Sequence, residues 1–141
     1  MHIYLRINYK NFDLSFSGRL SIDNYVYNNN ASQAFYAQAY DQSGFTRNIL
    51  TDVNKTNFAN AQYWSSIYLE NASFFKLDYI GLGYNFTSLL DYNVSGRIGF
   101  SVQNVFTITN YTGLDPEVPS GVDNNIYPRP RTFMMSLSLN Y

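Results

Sequence analysis

Apolar and polar residues alternate along several long stretches of this chain, and this period of two constrains the fold more than any other feature. From Ile3 to Tyr9 the odd-numbered residues are apolar, and the even-numbered ones include Arg6 and Asn8. Successive side chains of a β-strand point to opposite faces, so a strand with one apolar face gives this pattern and a helix does not. The chain is therefore predicted to be all-β and antiparallel.

Five stretches of this kind predict five strands. At Lys10 and Asn11 the parity of the apolar positions switches, which predicts a two-residue hairpin turn. In the third stretch the apolar residues are odd-numbered up to Tyr79 and even-numbered from Ile80 onward. This switch predicts a β-bulge near these two residues. The predicted strands cover residues 3–9, 12–22, 74–86, 94–106 and 133–141.

The lengths of the strands and of their connections point to a membrane barrel. The strands have about 9 to 15 residues, whereas strands in globular proteins average about 5 or 6 and a tilted membrane strand needs about 9 to 11. Short turns at residues 10–11 and 87–92 alternate with long loops at 23–71 and 110–130, and aromatic residues gather toward both strand ends. Outer-membrane barrels share these features. A soluble β-sandwich that binds carbohydrate, or a small oligomeric porin, stays open as an alternative.

Composition excludes several classes of function. The 9 Lys and Arg residues are balanced by 10 Asp and Glu residues, so we expect no nucleic-acid partner. The chain has no Cys and its single His is His2, so we expect neither a catalytic site nor a metal or cofactor. No apolar stretch approaches the ~20 residues that a membrane helix needs.

Charged and amide side chains lie on the polar faces of the predicted strands. An Arg at mid-depth on a lipid-facing surface would cost about 2–4 kcal/mol, so these residues are predicted to face a hydrated lumen. The residues predicted to face the lumen are Arg6, Asp13, Arg19, Arg97 and Gln103.

The two long loops supply the candidate binding residues. In the first loop, the rings of Tyr63 and Trp64 can stack on sugars, although packing within the loop is an open alternative, and a short helix is predicted at residues 42–54. The second loop contains four Pro residues, which predict a stiff extracellular element. Its Tyr111, Asp115 and Glu117 are candidates for contact with a ligand or a lid protein, or for packing against the chain itself.

Six short segments, taken in their order along the chain, indicate a protein family more specifically than the alternation does. They are residues 9–14 (YKNFDL), 68–77 (YLENASFFKL), 80–84 (IGLGY), 103–107 (QNVFT), 111–118 (YTGLDPEV) and 127–133 (YPRPRTF). In this order they resemble the C-terminus of SusC/RagA-type TonB-linked outer-membrane transporters.

The resemblance implies that residues 1–141 are the C-terminal part of a TonB-dependent receptor barrel. They would supply the last five strands of a 22-stranded barrel, without its N-terminal strands and plug. Such transporters import oligosaccharides or peptides across the outer membrane of Bacteroidota. Their partners are a SusD-type surface lipoprotein, which acts as a lid, and TonB with ExbB and ExbD, which supply energy.

The last predicted strand resembles the aromatic-ended strand by which the barrel assembly machinery recognises outer-membrane proteins. An ordinary amphipathic last strand would give the same alternation. The residues of this predicted assembly signal are Phe133, Met135, Leu137, Leu139 and Tyr141.

Overall fold

A computed structural model of the chain describes residues 1–39, 44–46, 48–87, 95–124 and 127–140. Eight strands lie in these residues: β1 (His2–Tyr9), β2 (Phe12–Ser21), β3 (Tyr25–Asn28), β4 (Leu69–Asn71), β5 (Phe74–Phe86), β6 (Ser95–Thr109), β7 (Val122–Asp123) and β8 (Thr132–Asn140). Two short helices, α1 (Asn29–Ser32) and α2 (Val53–Thr56), and two 3-10 turns, Tyr36–Ala39 and Ser66–Tyr68, complete the regular structure. Among the described residues, no helix is long and apolar enough to cross a membrane.

Five long strands form one sheet in the order β1-β2-β5-β6-β8, and they are the five strands that the alternation predicts. The predicted hairpin is confirmed, because Tyr9 is paired with Phe12 and Lys10 adopts a left-handed φ of 51° in the turn. The second predicted short turn, at 87–92, and the residues Val94 and Tyr141 lie largely or wholly outside the described residues.

The register keeps apolar and polar residues on separate faces of the sheet. Leu14 is paired with Ile7 on β1 and with Leu82 on β5, so an apolar row crosses three strands. On the other edge, Phe100 is paired with Met135. Residues directly opposite one another in an antiparallel pair point to the same side, so the pairing extends the alternation of each strand across the sheet.

The predicted β-bulge is present, but its position differs slightly. Ser17 is paired with Tyr79 and Gly18 with Leu77, so Asp78 is the extra residue. Tyr79 lies opposite Ser17 on the polar face, and its assignment to the apolar row was wrong. A bulge shifts the parity of every later residue, and an aromatic residue next to it fits either row by composition alone.

The chain divides into two compact units. The sheet unit comprises Met1–Ser21, Phe74–Ile108 and Arg129–Tyr141, and the loop unit comprises Ile22–Ser73 and Thr109–Pro128. The sheet unit therefore holds the five long strands, and the loop unit is built from the two segments that the sequence presents as long loops.

The loop unit has a sheet and a small core of its own. β3 pairs antiparallel with β4 and parallel with β7. Val26, Ala72 and Tyr111 form the buried cluster, and Val118 packs against it. The helix predicted at 42–54 is absent from residues 44–46 and 48–52. α2 begins only at Val53 and ends before Asn57, whose φ is 55°, so the prediction overlaps it by two residues.

Candidate functional site

An ion pair spans three strands on the polar face of the sheet unit. Asp13 on β2 is only 5% exposed, and Arg97 on β6 donates to its carboxylate from Nη2, at 2.6 Å from Oδ1, and from Nε, at 3.2 Å from Oδ2. Such a forked, charge-assisted contact is stronger than a neutral hydrogen bond. Arg6 lies at the edge of the pair, with Nη2 at 4.0 Å from Asp13 Oδ1.

Glycine on the strand between the partners makes this ion pair possible. Gly83 on β5 is the residue opposite Asp13, and a Cβ atom at that position would collide with both the Asp13 carboxylate and the Arg97 guanidinium. At Gly81 a Cβ atom would similarly collide with the ring of Tyr79. Long side chains of neighbouring residues therefore lie flat over the bare backbone of β5.

A second ion pair lies at the β-bulge. Arg19 donates from Nε and from Nη2 to the two carboxylate oxygens of Asp78, each at 2.8 Å. Lys76 is buried beside this pair, with Nζ 5.6 Å from the centroid of the Phe74 ring. The bulge provides the carboxylate that holds Arg19 in place.

The residues predicted to face the lumen form two groups on the sheet. Arg6, Asp13 and Arg97 form the first group, described above. Arg19 and Gln103 belong to the second, which lines an open depression of about 500 Å³. Its lining residues are His2, Arg19, Asp78, Tyr79, Gln103 and Asn104. Sequence alone places all five on polar faces but does not show this grouping.

The other face of the sheet exposes apolar side chains. Met135 is 78% exposed, and Phe133, Leu137 and Leu139 on the same strand are exposed too. Phe133 stacks on Phe100 at 6.4 Å between ring centroids. Contiguous exposed apolar surface marks a region that contacts another protein or a membrane.

In the loop unit, Trp64 exposes its ring to solvent while Tyr27 fixes its position. Its side chain stacks on Tyr27, with ring centroids 5.3 Å apart and planes at 28°, and its backbone N–H donates to the Tyr27 hydroxyl at 2.8 Å. The residue is 77% exposed and has a φ of 61°. A left-handed φ outside glycine costs of order 1 kcal/mol or more, and such strain concentrates at functional sites. Tyr63 beside it is half-exposed, with its hydroxyl 3.5 Å from Gln33 Oε1.

The other predicted contact residues have internal partners. Tyr111 is buried and donates its hydroxyl to Asp123 Oδ2 at 2.8 Å, and burial together with this carboxylate raises the pKa of Tyr111 far above its ordinary value. Asp115 is buried too, and it accepts from the backbone N–H of Glu117 at 3.0 Å. Of the two alternatives left open by the sequence, Tyr111 thus packs against the chain itself, because it belongs to the core of the loop unit.

Glu70 on β4 joins the two long segments of the loop unit, and sequence analysis missed it. Its Oε1 accepts from Asn28 Nδ2 at 3.0 Å and from Thr112 Oγ1 at 2.8 Å, and its Oε2 accepts from the Thr112 backbone N–H at 2.8 Å. Thr112 is 42 residues away in sequence, so no local pattern could have indicated the contact. The described residues hold no group of three or more His, Cys, Asp or Glu side chains that could bind a metal ion.

Comparison with known proteins identifies relatives of the whole chain. No protein-family model matches it. The TonB-dependent receptor SusC of Bacteroides thetaiotaomicron is 38% identical over 100% of the chain, and the TonB-dependent receptor P39 of Formosa agariphila is 27% identical over 96% of it. The chain spans 15% of the length of each of these two proteins.

A solved structure has the same fold. The structure of the RagAB peptide transporter superposes with a TM-score of 0.67, at 24% sequence identity, over 92% of this chain and 15% of that chain. The antiparallel sheet is thus the kind of sheet found in a barrel transporter, and the alternative of a soluble β-sandwich is wrong. The relatives are named as receptors and transporters, which agrees with the expectation that the chain is not an enzyme.

Proposed function

The chain belongs to the SusC/RagA family of TonB-dependent receptors, and from this premise we propose that it forms part of the barrel wall of an outer-membrane nutrient importer. The imported nutrient is a glycan or a peptide. The location is the outer membrane of a Gram-negative bacterium of the Bacteroidota type, and residues 1–141 lie at the C-terminal end of the barrel domain.

The observation that carries this proposal is the two-faced sheet. One face presents an apolar row such as Leu14 beside Leu82, and the opposite face pairs its charges internally, as in Asp13 with Arg97. A wall between lipid and an aqueous lumen needs both properties at once. Strand edges are not tolerated in lipid, so the edge strands β1 and β8 pair with further barrel strands in the working importer.

The other expected roles follow from this arrangement. Arg6, Asp13, Arg19, Arg97 and Gln103 face the lumen, and the exposed apolar row of β8, together with Tyr141, is the signal that the barrel assembly machinery binds. Tyr63 and Trp64 contact the imported ligand or the SusD-type lipoprotein lid. TonB, ExbB and ExbD act through parts of the importer other than this chain.

Two adjacent methionines provide a matched test of the wall. Met135 is paired with Phe100 on the apolar face, and Met134 is paired with Ser101 on the polar face. Lys on a lipid face costs about 2–4 kcal/mol near the bilayer midplane and little on a lumen face. In the full-length importer, Met135→Lys should strongly reduce the folded protein in the outer membrane, measured by heat-modifiable gel mobility, and Met134→Lys should not. Equal loss from both variants would contradict the proposal.

The importer function is tested in the source bacterium. An antibody against residues 132–141 should detect a band several times larger than 16.3 kDa in the outer-membrane fraction. Deletion of the gene should abolish growth on one glycan or peptide source, and the full-length gene should restore it only when TonB is present. Unchanged growth on every such source would argue against import.

A further inference from the structure

The loop unit contains a second candidate site, a half-enclosed cavity of about 230 Å³ between α1, α2, the 3-10 turn Ser66–Tyr68 and β4. We call it the loop cavity. Ligand pockets for drug-sized molecules have volumes of about 300–1,000 Å³, so this cavity is smaller than most of them. It has room for one functional group of a nutrient together with the carbon atoms next to that group.

The charged side chains of the loop cavity add up to a negative charge. Asp52 and Glu70 bring two carboxylates, and Lys55 brings the one ammonium group among the described lining residues. Lys55 is paired with Asp52, with Nζ at 2.5 Å from Oδ1, and its side chain is largely exposed, so this ion pair lies at the rim. Because one ammonium balances one carboxylate, the charge of Glu70 is in excess.

The hydrogen bonds of Glu70 come from uncharged donors. Asn28 Nδ2, Thr112 Oγ1 and the Thr112 backbone N–H use three of about four acceptor positions on its carboxylate, which leaves capacity for one further donor. The charge of Glu70 also acts at the rim, because Asp52 first and then Glu70 raise the pKa of Lys55. A positively charged donor forms the strongest hydrogen bond with such a group.

The remaining lining residues add no charge. Tyr68 is buried, and burial raises the pKa of its phenol, so the phenol stays neutral. Thr56 and Thr112 bring hydroxyl oxygens, which can accept hydrogen bonds, and Ala31 and Ile67 bring aliphatic carbon. The lining therefore suits a small cationic donor that is attached to a carbon skeleton.

A primary ammonium group has this chemistry. Two carboxylates attract it more than one ammonium repels it at similar distances, whereas a free carboxylate would meet the opposite balance. An uncharged group of the same size can form hydrogen bonds here but gains no such attraction. Ca²⁺ takes about six to eight oxygen ligands, and the described residues hold no group of three or more acidic or metal-binding side chains.

We propose that the loop cavity binds a primary ammonium group of the imported nutrient, and that Glu70 and Asp52 are the carboxylates that attract it. This inference rests on the proposed function, because it assigns the nutrient of that importer to amines. The same group occurs as the N-terminal ammonium of a peptide and as the amine of an amino sugar. The probes of the test distinguish these two sources.

The test measures binding of small amines to the full-length importer in detergent by saturation-transfer NMR, at mildly acidic pH. It uses two matched pairs in which a hydroxyl replaces the ammonium: L-leucinamide with its α-hydroxy analogue, and methyl β-D-glucosaminide with methyl β-D-glucopyranoside. We expect the amine of at least one pair to bind about tenfold more tightly than its partner, because its charge adds Coulomb attraction. Preference in the first pair alone assigns the nutrient to peptides, and preference in the second alone assigns it to amino sugars.

Two charge variants at the rim should act in opposite directions. Asp52→Asn removes a carboxylate and should weaken amine binding severalfold. Lys55→Met removes the repelling ammonium and should strengthen amine binding severalfold. Both side chains are accessible to solvent and lie outside the buried core of the loop unit. A variant that only perturbed the fold would not bind more tightly, so the gain in Lys55→Met identifies an effect of charge.

A second pair of variants tests the location of the site. Ile67→Trp fills the loop cavity from an exposed position, and Leu69→Trp, which is also exposed but not part of the lining, is the matched control. We expect Ile67→Trp to abolish the preference for the amine over its hydroxyl partner. Leu69→Trp should retain the preference of the unmodified protein.

Three results would overturn the inference: no preference for the amine in either pair, unchanged or weaker amine binding by Lys55→Met, or equal amine binding by Ile67→Trp and Leu69→Trp. Their meaning is separate from that of the growth test. If the gene is needed for growth on a nutrient but the amines are not preferred, the importer function stands and the inference fails. If the variants respond as expected but deletion changes no growth, the ammonium site stands and the importer function fails.

Discussion

The sheet unit and the loop unit are stabilised in different ways. Long backbone ladders hold the sheet unit, such as the ten paired positions from Phe12 to Ser21 between β2 and β5, and its side-chain contacts join neighbouring strands. The loop unit has strands of only two to four residues, and side-chain hydrogen bonds such as Tyr111 to Asp123 and Thr112 to Glu70 hold its segments together. A regular ladder tolerates change at many single positions, whereas the loop unit depends on a few specific groups.

The largest effect should come from the charge pair that crosses β5. Arg97→Met leaves the Asp13 carboxylate buried without its main partner. Loss of one partner from a fully buried pair costs about 3–5 kcal/mol, and because Arg97 is half-exposed we expect about 2 kcal/mol here. The shift of the urea midpoint of the full-length protein measures this loss of stability. Combining Asp13→Asn with Arg97→Met should recover part of it. If Arg97→Met has no effect, the ladder alone stabilises the sheet unit.

A smaller effect, confined to the loop unit, should follow from Tyr111→Phe. The change removes the hydroxyl donor to Asp123, which is fully buried, so one carboxylate oxygen loses a partner at a cost of about 1–2 kcal/mol. Hydrogen exchange should accelerate at Val26 and Ala72, which share the core with Tyr111, and stay unchanged in β2. Faster exchange in β2 as well would show that the two units are not independent in stability.

Trp64→Gly should have almost no effect on stability. Loss of the stack on Tyr27 costs about 0.5–1.5 kcal/mol, and glycine relieves a similar amount of strain at a φ of 61°. Thermal unfolding should therefore be unchanged, while affinity for the ligand of the proposed importer falls. Tyr63→Ala removes the neighbouring exposed ring, for which we propose the same contact, and should lower the affinity as well. Unchanged affinity in the Trp64→Gly variant would remove this ring from the ligand site.

The smallest effect concerns pH. The folded-state pKa of Lys55 is raised by Asp52, so the interaction favours folding below the ordinary lysine pKa and is lost as the pH rises through the folded-state value. Because Lys55 is fully exposed, we expect a detectable NMR titration shift and little change in stability. Asp52→Asn should return the Lys55 titration to its ordinary range, and an unchanged titration would show that the ion pair is absent in solution.

The parts of the fold that repeat with a short period could be predicted from sequence, and the parts set by distant contacts could not. Alternation identified all five strands of the sheet and the turn at Lys10. In a strand, the face on which a side chain lies follows from the faces of its sequence neighbours. β7 has two residues and pairs with β3, about 95 positions away, so no period can reveal it. Polar alternation likewise placed Arg19 and Gln103 on polar faces, but it did not show that both line one open depression, or that the bulge residue Asp78 pairs with Arg19.

The two bare positions on β5 bear on how smooth the polar face of the sheet is. Gly81 and Gly83 leave room that the Tyr79 ring and the Arg97 guanidinium cover as thin, flat layers. In the proposed importer this strip of wall is lined by a layer no thicker than a ring or a guanidinium group lying on the backbone. A bulky replacement at either glycine would push the Tyr79 ring or the Arg97 guanidinium out of this layer, so the smoothness of the wall here depends on two absent side chains.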